Sequence, residues 1–202
     1  MKALHLRHRR LLALGLGALS CAGSALAGNG PDPSRLPPCR PGGDADACNL
    51  PVKSHQFDSL QGWTSASGLP SIGYDELGNA YAALYTGATI SQAVYAHFGK
   101  SPNDLAYALR FRVRSHNGDN QVRATLSMSD AYGKQTRPIG STTAVARQGE
   151  WSTVELVVNG VPFAAPAHVL LEIASEGGNH DTVQIDDVYL VESDGATALS
   201  TR

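Results

Sequence analysis

Two adjacent carboxylates, Asp186 and Asp187, sit inside an apolar run, Val183-Gln184-Ile185-Asp186-Asp187-Val188-Tyr189-Leu190. Strands disfavour aspartate. Successive strand side chains face opposite ways, so one of the two points inward unless a bulge turns it out. A buried carboxylate must be protonated, paired or bound to a metal. The closing strand is therefore one that can hold an ion.

A second chemical feature is the polar stripe Arg110, Arg112 and Arg114, joined by Arg123 on what reads as a neighbouring strand. Guanidinium forks bond carboxylates and polyols bidentately, so a stripe lining a sheet face suits an acidic or highly hydroxylated glycan. The plainer alternative is a solvated face that blocks edge pairing. Gln92, Gln121 and Glu155 would add hydrogen bonds from the same sheet. Aromatic faces, which cover the apolar side of a sugar ring, could come from Trp63, Tyr74, Tyr81, Tyr85, Tyr95 and Tyr132. Of these, Tyr85 and Tyr95 flank an expected hairpin and are preferred, while Trp63 reads as core.

Catalytic patterns are weak. His180-Asp181 lies in a glycine-rich turn, and no Gly-x-Ser-x-Gly elbow supplies a nucleophile. Neither a His-Glu-x-x-His pair nor a phosphate-binding glycine loop occurs. Asp75-Glu76 and Glu172 are available carboxylates, but nothing in the sequence puts two in one cleft. Asp44 and Asp46 lack the glycine and distal glutamate of an EF-hand. The expectation is a protein that is not an enzyme.

The elements that must position these groups are short strands. In Leu105–Arg114, Tyr107, Leu109, Phe111 and Val113 share one face and the arginines the other, the alternation of a half-buried antiparallel strand. Further strands are expected at Gln121–Ser129, Trp151–Val158, His168–Ala174 and the acidic run. Asn79–Thr86 and Thr89–Phe98 read as a hairpin around Gly87. No long stretch has helical period. The set predicts an all-β antiparallel sandwich or jelly roll.

Residues 1–27 read as a secretory signal peptide, with Lys2, Arg7, Arg9 and Arg10 before an apolar stretch and Ser24-Ala25-Leu26-Ala27 at its end. Cys21 raises the alternative of a lipoprotein, but Ala18 stands where such signals carry leucine. Export implies a secreted, periplasmic or extracellular location, with no transmembrane span. The signal peptide takes four of the 16 basic residues and none of the 18 acidic ones, so the remainder is acidic and unsuited to nucleic acid. Residues 28–53 form a Pro/Gly-rich, flexible leader in which Cys39 and Cys48 are expected to form a disulfide. The sandwich domain is expected over 54–193 and a disordered tail over 194–202.

From His55 to Glu192 the chain resembles carbohydrate-binding modules of the cellulase and xylanase type, with a galactose-binding-domain-like jelly roll. The landmarks are Phe57-Asp58, Gly62-Trp63, Gly78 to Leu84, Ile90-Ser91-Gln92, Tyr107 to Arg114, Trp151 to Val154 and Ile185 to Leu190. From their own chemistry and placement, Tyr85, Tyr95, Gln92, Arg110, Arg112 and Arg114 are the ligand-binding candidates, and the resemblance implies a glycan or polysaccharide as the ligand. It also implies a structural calcium held by Asp58, Asp186 and Asp187, whose hard oxygens suit that ion. The alternative function is an envelope or extracellular accessory protein that uses the sandwich for protein contacts.

Overall fold

The computed structural model describes residues 32–41, 45–96, 105–129, 136–161, 168–177 and 182–194. The expected signal peptide, Cys21, Tyr132, His180-Asp181 and residues 195–202 lie outside the described residues.

A short 3-10 turn, Pro33–Arg35, precedes the strands β1 (Ala47–Asn49), β2 (Ser71–Tyr74), β3 (Ala80–Tyr85), β4 (Thr89–Tyr95) and β5 (Leu105–Ser115). There follow β6 (Asn120–Ser129), β7 (Thr136–Ala146), β8 (Ser152–Val161), β9 (His168–Gly177) and β10 (Thr182–Asp194). One sheet has the order β2-β3-β10-β5-β8, with β1 also paired to β10; the other has the order β4-β9-β6-β7. Every strand pairing is antiparallel. The architecture is an all-β jelly-roll sandwich.

Alternation builds its interior. On β5, Tyr107, Leu109, Phe111 and Val113 are fully buried, while Arg110, Arg112 and Arg114 stay partly exposed on the opposite side. Facing them from the other sheet, Val122, Ala124 and Leu126 of β6 and Leu171 and Ile173 of β9 join one hydrophobic cluster. Burying each large apolar side chain contributes roughly 1.5–3 kcal/mol, so this two-layer core is the main source of stability. The buried Tyr107 hydroxyl donates to the Glu192 carboxylate at 3.2 Å.

The expected hairpin around Gly87 does not form. β3 and β4 belong to different sheets, and the turn carries the chain from one layer to the other. Gly87, at φ 80°, and Ala88 bond the backbone of Ser175 instead. Arg123 is likewise on the opposite sheet from Arg110, Arg112 and Arg114, and it pairs with Glu176 at 2.6 Å. The described part of the Pro/Gly-rich leader, residues 32–41 and 45–53, is also more ordered than its composition suggests. The disulfide Cys39–Cys48 closes it, β1 pairs with β10 from Ala47↔Ser193 to Asn49↔Val191, and Leu50 is buried in the core. Order there comes from long-range pairing with the last strand.

Candidate functional site

A bulge decides where the two carboxylates go. Asp186 lies opposite Arg112 and Tyr189 opposite Arg110, so β10 carries one extra residue between them. Asp187 takes it up at φ 50°, while Ile185 and Val188 on either side remain fully buried. Both aspartates therefore come to the outer face of the larger sheet, beside Arg112. Its Nη1 is 3.2 Å from Asp187 Oδ2 and 4.0 Å from Asp186 Oδ2. Asp186 Oδ1 accepts the Asp187 N–H at 2.7 Å, and Gln56 Nε2 donates to Asp187 Oδ1 at 3.3 Å.

Asp186 is only 7% exposed. Burial pushes its carboxyl up to about 6, the Asp187 charge adds to the rise, and the Asp187 N–H and Arg112 oppose it.

Arginines and aromatics share the same face. The Arg112 guanidinium lies 4.8 Å from the centre of the Trp151 ring, and that of Arg114 lies 4.6 Å from Trp151 and 5.7 Å from Tyr81. Trp151 and Tyr81 meet edge to face at 6.3 Å. Arg114 Nε also donates to Gln184 Oε1. Tyr81 lies across Gly73 of β2, where any Cβ would collide with its ring, which explains a glycine inside that strand.

The β2–β3 turn forms one wall. Asp75 Oδ1 accepts the N–H groups of Leu77 and Asn79 at 2.9 and 2.8 Å, and Asn79 Nδ2 donates to Oδ2 at 3.0 Å. The Asn79 amide and then its backbone N–H hold the Asp75 carboxyl below its ordinary range, so it stays ionised at neutral pH.

These groups enclose two adjoining cavities. The larger, about 630 Å³, is lined by Tyr74, Tyr81, Arg114, Trp151, Gln184 and neighbours. The smaller, about 440 Å³, reaches Gln56, Asp58, Asp186 and Asp187. Tyr74, Asn79 and Arg112 line both, so they form one trough with a floor of β10 and β5. Its aromatic walls and closely set donors and acceptors are what an extended, hydroxylated ligand requires.

The expected site residues divide. Arg112 and Arg114 line the trough, and Arg110 continues the same face opposite Tyr189 and Glu155. Tyr85 is exposed at the far end of β3, opposite Thr182. Tyr95 is on the other sheet, its ring 5.5 Å from that of His168. Gln92 does not offer hydrogen bonds from a sheet face. It is buried and turned inward, accepting the Lys53 N–H at 2.7 Å and donating to the Lys53 carbonyl at 3.1 Å. Gln121 lies on the smaller sheet and Glu155 on the larger, so the three do not share one sheet. Trp63 is core, packed on Phe57 at 5.2 Å. Glu172 is on the smaller sheet, across the sandwich from Asp75-Glu76. In the sequence, Trp151, Asn79 and Gln184 read as parts of strands and not as site residues. The signal for Trp151 was present: it shares the polar phase of Thr153 and Glu155, where a large aromatic has no core to fill.

The expected calcium ligands Asp58, Asp186 and Asp187 do line one cavity. Their oxygens suit the ion, but two of the three carboxylates already have a cation beside them. Arg112 already stands against both β10 carboxylates, and among the described residues no three metal-binding side chains converge. A calcium ion would have to displace a guanidinium. Thermal unfolding with and without EDTA is expected to give midpoints within about 1 °C; a fall of several degrees on chelation would contradict this assignment.

No protein-family model and no curated protein sequence matches the chain significantly. Solved structures do. A cyclase from Fischerella sp. TAU has TM-score 0.57 and 16% identity over 73% of this chain and 98% of its own. The tandem CBM22 domains of Paenibacillus barcinonensis Xyn10C have TM-score 0.51 and 11% identity, over 71% of this chain and 50% of theirs. A CBM4 structure has TM-score 0.50 and 12% identity, over 71% of this chain and all 100% of its own. Enzymes and binding modules thus share this architecture, and fold selects neither function. The likeness establishes that this chain has the jelly-roll fold that this cyclase and these carbohydrate-binding modules share.

Proposed function

We propose that the protein is a non-catalytic glycan-binding module whose ligand lies in the trough on the outer face of the larger sheet. The observation that carries this reading is the convergence of Tyr74, Tyr81 and Trp151 with Arg112, Asn79 and Gln184 around one continuous cavity. Aromatic faces cover the apolar side of a pyranose, and the amide and guanidinium groups meet its hydroxyls. Tyr74, 66% exposed, is the face most available for stacking. The Cys39–Cys48 disulfide supports an exported protein. Among the described residues, no helix is long and apolar enough to cross a membrane.

The test is retention of the intact protein on a panel of immobilised polysaccharides, with inhibition by soluble oligosaccharides. Retention of at least one glycan, competed by its oligomers, supports the reading; no retention on any of them defeats it.

A second reading follows from Asp186. A buried carboxyl held near pH 6 beside Arg112 and the trough that Tyr74 lines is suited to proton transfer. Product formed from a bound ligand by wild type and not by Asp186→Asn would favour that reading. Ligand recovered unchanged favours the binding module.

A further inference from the structure

Arg112 is the cation best placed to meet a ligand, since it lines both halves of the trough. Yet it is already engaged. Asp187 stands 3.2 Å from its Nη1, and the Trp151 ring lies 4.8 Å from the guanidinium carbon. Arg114 is engaged as well, by Gln184, Trp151 and Tyr81. The remaining charges on the trough are mostly negative: Asp58, Asp75 and Glu76 line it together with Asp186 and Asp187. A sugar carboxylate or sulfate would have to take Arg112 from Asp187 while approaching those other carboxylates. A sugar hydroxyl need do neither, because it can accept from N–H groups the aspartate leaves unused.

We propose that Asp187 is a specificity-determining residue: by occupying Arg112 it makes the trough reject anionic glycans, such as uronate or sulfated chains, and accept uncharged ones. The proposal rests on the glycan reading of the same trough and names the charge of its ligand. The bulge gives the aspartate this role. At φ 50° the Asp187 backbone leaves the regular strand and holds the carboxylate beside a guanidinium whose planar fork matches carboxylates.

The test removes the charge and keeps the bulge. Asn tolerates left-handed backbone, and Gly adopts it without strain, so Asp187→Asn and Asp187→Gly are parallel variants. Digalacturonate and its uncharged methyl ester are titrated into wild type and both variants, following tryptophan emission. Of the chain's two tryptophans, Trp63 is buried and Trp151 lines the trough. The expected result is no response of the wild type to digalacturonate. At least one variant responds, binding it about fivefold or more tighter than the weakest affinity the titration detects, the gain falling with added salt and vanishing when Arg112→Gln is added. Equal binding of digalacturonate by wild type and variants, or no gain in either variant, overturns the proposal. Failure of the broader reading is a separate result: no uncharged polysaccharide retained by wild type, whatever the variants gain.

Discussion

Asp186→Asn is expected to stabilise the protein at pH 7.5 by up to about 3 kcal/mol and to remove most of the wild type's loss of stability across mildly acidic pH. The carboxyl has an ordinary value of 3.8 and is held at about 6 in the folded chain, chiefly by burial. Below 3.8 it is protonated whether folded or not, and its contribution is at its most favourable. Between 3.8 and about 6 the folded chain keeps the proton that the unfolded chain has lost, so stability falls as pH rises. Above that interval both forms are ionised and the full cost is in place. Asparagine never ionises, and its Oδ1 can still accept the Asp187 N–H that Asp186 accepts at 2.7 Å. Denaturant unfolding of both proteins at several pH values measures the difference. Equal stability at pH 7.5, or parallel pH profiles, would contradict the burial argument.

Arg112→Ala is expected to cost about 1–3 kcal/mol at pH 7.5 and clearly less at pH 4.5. Arg112 is itself 42% exposed, so its ion pairs are screened and worth little directly. The larger cost comes from leaving Asp186 and Asp187 adjacent, with Asp186 buried and its cation gone. Protonation of Asp186 relieves that repulsion, which fixes the pH dependence. Adding Asp186→Asn should recover most of the loss. A loss that is independent of pH, or untouched by the second substitution, would show that the guanidinium acts only by packing on Trp151. Because this variant alters stability, Tyr74 is the cleaner probe of binding.

The fold was legible where alternation is strong. Tyr107, Leu109, Phe111 and Val113 on one side and three arginines on the other specify the burial of β5 with no knowledge of its neighbours. Alternation says which side of a strand is dry, not which sheet it joins. β3 and β4 were therefore foreseen as strands and mistaken for partners, and Gln92, Gln121 and Arg123 were assigned to a sheet they do not join. β2 escaped because it is an edge strand of four residues with Gly73 inside it. β7 escaped because Pro138 argues against a strand; it is tolerated since β7 is an edge, with a register shift beside it between Leu126 and Ser127. The acidic pair was read correctly as demanding a partner. Nothing local to 183–190 reveals that the partner is Arg112, because that contact depends on the bulge and on the register of β10 against β5.

The central claim is that a glycan lies on the outer face of the larger sheet, and the most direct test compares Tyr74→Ala with Tyr95→Ala. The two tyrosines sit on opposite sheets, and both are exposed, at 66% and 44%. Affinity electrophoresis in gels containing a retained polysaccharide should show Tyr74→Ala weakened about tenfold, with an unchanged thermal midpoint, and Tyr95→Ala migrating as wild type. Retardation that survives in Tyr74→Ala and is lost in Tyr95→Ala would place the ligand on the other sheet and contradict the account.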